Sequence, residues 1–118
     1  MLIEQMPLTR QLEMVFRALK DELASLASGT IFVQIRNNLI GKFGVKHFPI
    51  GVMESSSPKE KQGLSEQHLH ALRRMGLLSL QQKRWTHGEL QLEFVLRNDD
   101  LQASVQCESN YNMNHLLT

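Results

Sequence analysis

The side chains here that could do chemistry are five histidines, one cysteine and a short run of bases around a tryptophan. The histidines are His47, His68, His70, His87 and His115. Histidine pairs that bind a metal from a helix sit four apart, so that both rings reach one ion. His68 and His70 are two apart and fall on different sides of a helix. With a single cysteine and no clustered carboxylates, the ligand set of a zinc site is missing. No metal and no cofactor is therefore expected.

Cys107 alternates with Ala103 and Val105 and is expected to face the core as a small hydrophobe. A nucleophilic thiol would need exposure and a basic neighbour. Gly41-Lys42-Phe43-Gly44 lies inside a strand pattern and lacks the spacing of a phosphate-binding loop. No catalytic residue is assigned. An enzyme would need a pocket joining His47, His87 and the asparagine-rich tail from Glu108 to His115.

The densest chemical cluster is Lys83-Arg84-Trp85-Thr86-His87-Gly88-Glu89. Trp85 between bases could stack a nucleobase. The plainer reading is preferred: a lone tryptophan anchors a small core, plugging the junction between helix and sheet.

These residues must be positioned by regular elements, which the hydrophobic spacing reveals. Leu12, Val15, Phe16, Leu19, Leu23 and Leu26 step by three and four, one face of a helix over 9–28. Thr9 is read as its N-cap and Gly29 as its end. The period then becomes two. Ile31, Val33 and Ile35 alternate with Phe32, Gln34 and Arg36, and a second strand follows Asn37-Asn38. Asparagine tolerates positive φ, so this pair makes a tight turn and 30–48 a hairpin. Gly41 and Gly44 mark a bulge or a close backbone approach. A surface loop is expected over about 51–63.

The second helix starts at Ser65 as N-cap, with Leu64 and Leu69 at the spacing of a hydrophobic staple. Leu69, Leu72, Met75, Gly76 and Leu80 line one face, widened by Leu77 and Leu78. Gly76 lets this helix approach the sheet. Leu90, Leu92, Phe94 and Leu96 then alternate with polar residues, Asn98-Asp99-Asp100 turns the chain, and Leu101 to Cys107 alternate back. A short helical turn is read over 113–117.

The order is αββαββ. The fold class is α+β, with an antiparallel four-stranded sheet and both helices on one face. Ile35-Arg36-Asn37-Asn38-Leu39 resembles Leu96-Arg97-Asn98-Asp99-Asp100-Leu101, which suggests an internal αββ repeat with a period of about sixty.

A chain of 118 residues suits one domain, 1–118. Its apolar share of 42% and charged share of 21% exclude a disordered chain. A net charge of +1 favours neither nucleic acid nor membrane. One cysteine suits a reducing compartment. No signal peptide is read in Met1 to Arg10, and no stretch approaches the ~18 apolar residues of a membrane span. The expected location is cytoplasmic, with no membrane partner.

The charges are split. The first hairpin carries Arg36, Lys42 and Lys46 without an acid; the second is acidic. Side by side, the two hairpins would pair these charges. The sheet face away from the helices is expected to bear Phe32, Gln34, Ile40 and Val95, the apolar members forming a contact patch. The reading is a non-enzymatic protein-binding module that acts as a homodimer, through this face or a sheet edge. Its contact residues are Phe32, Gln34, Arg36, Ile40, Lys42, Lys46 and Val95. The alternative is a nucleic-acid binder in which Arg73, Arg74, Lys83, Arg84 and Trp85 join the basic hairpin on one surface.

Overall fold

The computed structural model describes residues 6–47, 63–111 and 113. The loop expected over 51–63 and the helical turn over 113–117 lie outside these residues, Gly63 and Met113 excepted. The elements run α1 (Leu8–Leu23), β1 (Ser28–Arg36), β2 (Leu39–Lys46), α2 (Glu66–Leu80), β3 (His87–Arg97) and β4 (Asp100–Ser109). The strands form one antiparallel sheet in the order β2-β1-β3-β4.

Helix α1 buries Leu8, Leu12, Val15, Phe16, Leu19 and Leu23 along the stripe its spacing dictates. Each such side chain contributes roughly 1.5–3 kcal/mol when fully removed from water. The cap is Pro7, not Thr9. Its carbonyl accepts the first free N–H groups, from Arg10 and Gln11. Proline cannot donate to a preceding turn, so the helix can begin directly after it.

Helix α2 is capped as expected. The Ser65 hydroxyl accepts from His68 N–H at 3.2 Å, and His68 Nδ1 accepts from Ser65 N–H at 3.0 Å. This is a capping box with histidine in the usual Glu/Gln position. Because Nδ1 accepts, the proton sits on Nε2, which donates to the Asp99 carbonyl at 3.1 Å. A Cβ on Gly76 would lie 2.9 Å from Leu12 of α1 and 3.5 Å from Leu90 and Leu92. The glycine thus sets how closely α2 sits on both neighbours. Leu78, expected on the inner face, is exposed.

Both helices lie on one face of the sheet. Ile31, Val33, Ile35, Leu90, Leu92 and Phe94 point into them and are buried. Both hairpins close with two-residue turns, Asn37-Asn38 and Asn98-Asp99, all four residues at φ between 52° and 69°. These are type I′ turns, whose twist matches that of the strands. Asp100 belongs to β4 and pairs with Arg97, so the second turn is one residue shorter than its sequence suggests.

The halves α1-β1-β2 and α2-β3-β4 are topologically equivalent about the Ile31–Leu92 pair of the β1–β3 ladder. One asymmetry stands out. The β1–β2 register shifts between Val33 and Ile35, whereas the β3–β4 register is unbroken.

Candidate functional site

The outer sheet face carries no described helix, and its composition follows from the ladders. Opposed residues in antiparallel strands share a face. Lys46, Thr30, Glu93 and Ser104 form one row across the sheet; Gly44, Phe32, Gln91 and Gln106 form the next; Gln34, Glu89 and Glu108 the next. Arg36 opposes His87 at one end, and Val95 lies between Ser28 and Gln102 toward the other.

Ile40 is not on this face. The bulge near Gly41 and Lys42 shifts the alternation of β2, so Ile40 opposes Ile35 and is buried on the helix side. Phe32 and Val95 remain outside but are separated by the Thr30–Glu93 row. The expected apolar patch of Phe32, Ile40 and Val95 therefore does not form. Phe32 instead covers Gly44: a Cβ there would meet its ring at 2.9 Å. Lys46 Nζ stands 5.6 Å from the same ring.

At the Arg36–His87 end the sheet opens into a groove of about 880 Å³. Gln34, Arg36, Lys42, His87 and Glu89 line it, with Tyr111 from the tail. Glu89 is held by amides: Gln34 Nε2 donates to it at 3.3 Å, and Gln91 Nε2 donates to its other oxygen. Arg36 and Lys42 stand differently. Among the described residues no carboxylate lies in ion-pair distance of either, nor of Lys46. The hairpins are neighbours through β1 and β3, yet their opposite charges do not close into pairs. What the groove offers is two cations without an ion-pair partner among the described residues, lining the same space as an amide-held carboxylate and suited to charge-assisted hydrogen bonds with an acidic group.

The basic residues of α2 lie elsewhere. Arg73 lines a groove between the helices with Glu13, Lys20 and Glu66, and its Nη2 is 3.0 Å from His70 Nδ1. Helix layer and outer sheet face are opposite sides of the molecule. Arg73 and Arg74 thus do not join Arg36, Lys42 and Lys46 on one surface.

Trp85 is buried, and its Nε1–H donates to the Leu80 carbonyl at 3.2 Å. It plugs the junction between α2 and the sheet and offers no face for a base. Lys83 is engaged too: its Nζ donates to Ser109 Oγ at 2.7 Å and stands 4.9 Å from the Trp85 ring.

His47 and His87 do not meet. His47 Nε2 is 2.8 Å from Glu22 on α1, beyond the Thr30–Lys46 end of the sheet, whereas His87 is at the other end. Cys107 shares the inner face with Leu90 but is exposed, because it sits near the end of an edge strand that the helices do not fully cover. No group of three or more His, Cys, Asp or Glu side chains is arranged for a metal among the described residues. No described helix is long and apolar enough to cross a membrane.

Two residues grip the hairpin turns: Gln11, absent from the sequence reading, and His68, weighed there only as a metal ligand. Gln11 is buried in α1. Its Nε2 donates to Met6 O at 3.0 Å and Asn38 O at 3.3 Å, and its Oε1 accepts from Ile40 N–H at 2.7 Å. His68 does the corresponding work in the second unit, holding Asp99 O. Each side chain contacts the second residue of its turn across a long stretch of chain, so no local signal announces it. No family model matches this chain, and comparisons with curated proteins and with solved structures find no match.

Proposed function

We propose that this chain is a small cytosolic, non-enzymatic binding module that works as a homodimer and engages a protein partner through its bare sheet face. The observation that supports this most is the groove end of that face, where, among the described residues, Arg36 and Lys42 make no ion pair and line the same space as an amide-held Glu89. Unneutralised cations flanking a fixed carboxylate select a partner by charge pattern, the usual source of specificity at polar interfaces. Gln34, Phe32 and Lys46 extend the same surface along β1 and β2.

The test is capture of partners from native lysate by the full chain and by the double variant Arg36→Glu, Lys42→Glu. Reversing both charges is expected to lower recovery of a protein partner about tenfold, as charge reversal at a polar contact does. Nuclease treatment should leave recovery unchanged. Equal capture by the double variant would sink the reading. Loss on nuclease treatment, with recovery falling steeply in salt, would favour the nucleic-acid alternative, there without Arg73, Arg74 and the buried Trp85.

A further inference from the structure

The sheet has two edges, and they differ in how they meet solvent. An exposed edge presents unpaired N–H and C=O groups and invites another strand; proteins blunt such edges with lysines, bulges and covering side chains. Edge strand β2 has all three. It carries Lys42 and Lys46, its register breaks near Gly41, and Gln11 Oε1 accepts the Ile40 N–H.

Among the described residues, edge strand β4 has no lysine of its own, no bulge and no side chain bonded to an outward backbone group, and Lys83 reaches only the Ser109 hydroxyl at its end. The strand runs ten residues without proline, lysine or arginine and pairs with β3 in unbroken register. Which of its backbone groups are free follows from the turn. In a two-residue hairpin the flanking pair, here Arg97 and Asp100, is hydrogen-bonded, and the pattern then alternates. Asn110 N–H bonding to His87 O fits that phase. The groups of Leu101, Ala103, Val105, Cys107 and Ser109 therefore point outward. Leu101 is the counterpart of Ile40, yet among the described residues no side chain caps its N–H. Leu101, Ala103 and Val105 also face the helix side and extend the core only half-covered.

We propose that a second copy of this chain pairs with β4, antiparallel, about a two-fold axis at Val105. This specifies the interface of the homodimer in the proposed function and is independent of the groove partner. Charge selects the register. Centring the axis on Ser104 would set Asp100 against Glu108 of the other copy. Moving it to Val105 keeps nearly the whole strand paired and sets Glu108 against Gln102. It also opposes Ala103 to Cys107 and Val105 to itself, joining the two half-covered apolar rows. Outward-pointing residues then face one another, as an antiparallel ladder requires.

The test uses the full chain. Of the backbone groups, Val105→Pro removes only an outward N–H, which an edge strand tolerates without losing its inner ladder. Wild type is expected at twice the monomer mass by light scattering at tens of micromolar, and Val105→Pro at half that mass with unchanged circular dichroism. Independently of that variant's folding, Ala103→Cys should oxidise to a covalent dimer through Cys107. Opposed residues of a hydrogen-bonded pair have Cα atoms about 5.5 Å apart, within disulfide reach. Ala103→Cys combined with Cys107→Ser should give none. A monomeric wild type, a folded Val105→Pro that stays dimeric, or cross-linking that does not need Cys107 would overturn the proposal. A dimer lost instead on reversing Arg36 and Lys42 would overturn it too and point to the groove face.

Discussion

Replacing Trp85 with alanine is expected to remove about 3–5 kcal/mol of folding free energy, the range for deleting a large buried aromatic. The residue is 3% exposed and closes the gap between the end of α2 and the start of β3. Its loss leaves a cavity and also frees the Leu80 carbonyl, one of the groups that a helix C-terminus leaves unpartnered. Domains of this size are stable by only about 5–15 kcal/mol, so the variant should unfold at markedly lower urea. Trp85→Phe separates the two contributions. It keeps most of the volume, gives up the bond to Leu80, and should cost about 1–2 kcal/mol. Chemical denaturation followed by circular dichroism checks both. An alanine variant within 1 kcal/mol of wild type would show that Trp85 is not the plug described.

Gln11→Leu is expected to cost about 2–4 kcal/mol, because it strands the Ile40 N–H and deprives two carbonyls of a donor. A buried polar group left without its partner costs more than the bond itself was worth. His68→Ala is the informative comparison. It removes the corresponding grip on the second turn from a position less completely buried than that of Gln11, and should cost about 1 kcal/mol, as a lost cap does. Denaturation midpoints measure the difference, and amide exchange at Ile40 should accelerate in Gln11→Leu alone. Equal costs at the two positions would contradict the view that burial, rather than the bond count, makes the first turn dependent on its clamp.

What could be read from the chain beforehand was local. The i, i+3, i+4 spacing from Leu12 to Leu23 places α1, and the alternation from Leu90 to Leu96 places β3, because each element needs one continuous apolar side. Asn37-Asn38 and Asn98-Asp99 announce turns because asparagine and aspartate accept positive φ. Ser65 announces a cap through its hydroxyl. Local pattern misleads where a longer-range fact decides. A bulge of one residue turns Ile40 inward; alternation alone carries it to the wrong side. Cys107 has the correct parity for the core, but parity does not say that β4 is an edge. Asp100 reads as a turn residue by type and is a strand residue by pairing. The basic residues of α2 and the first hairpin seem a set when counted along the chain; the layer order sends them to opposite sides. Gln11 carries no local signal and His68 only that of its place three residues after the Ser65 cap, since the turns they hold become neighbours only once the hairpins have closed.

In a two-layer molecule of this kind the outer sheet face meets water. Paramagnetic relaxation by a soluble, uncharged agent reads this directly from side-chain resonances. The Val95 methyls and the side-chain amides of Gln34, Gln91 and Gln106 should broaden strongly, while the methyls of Val33, Leu90 and Leu92 should not. An edge-to-edge dimer preserves that contrast. Protection of both sets alike would mean that another layer covers the face, and the groove reading would not survive it.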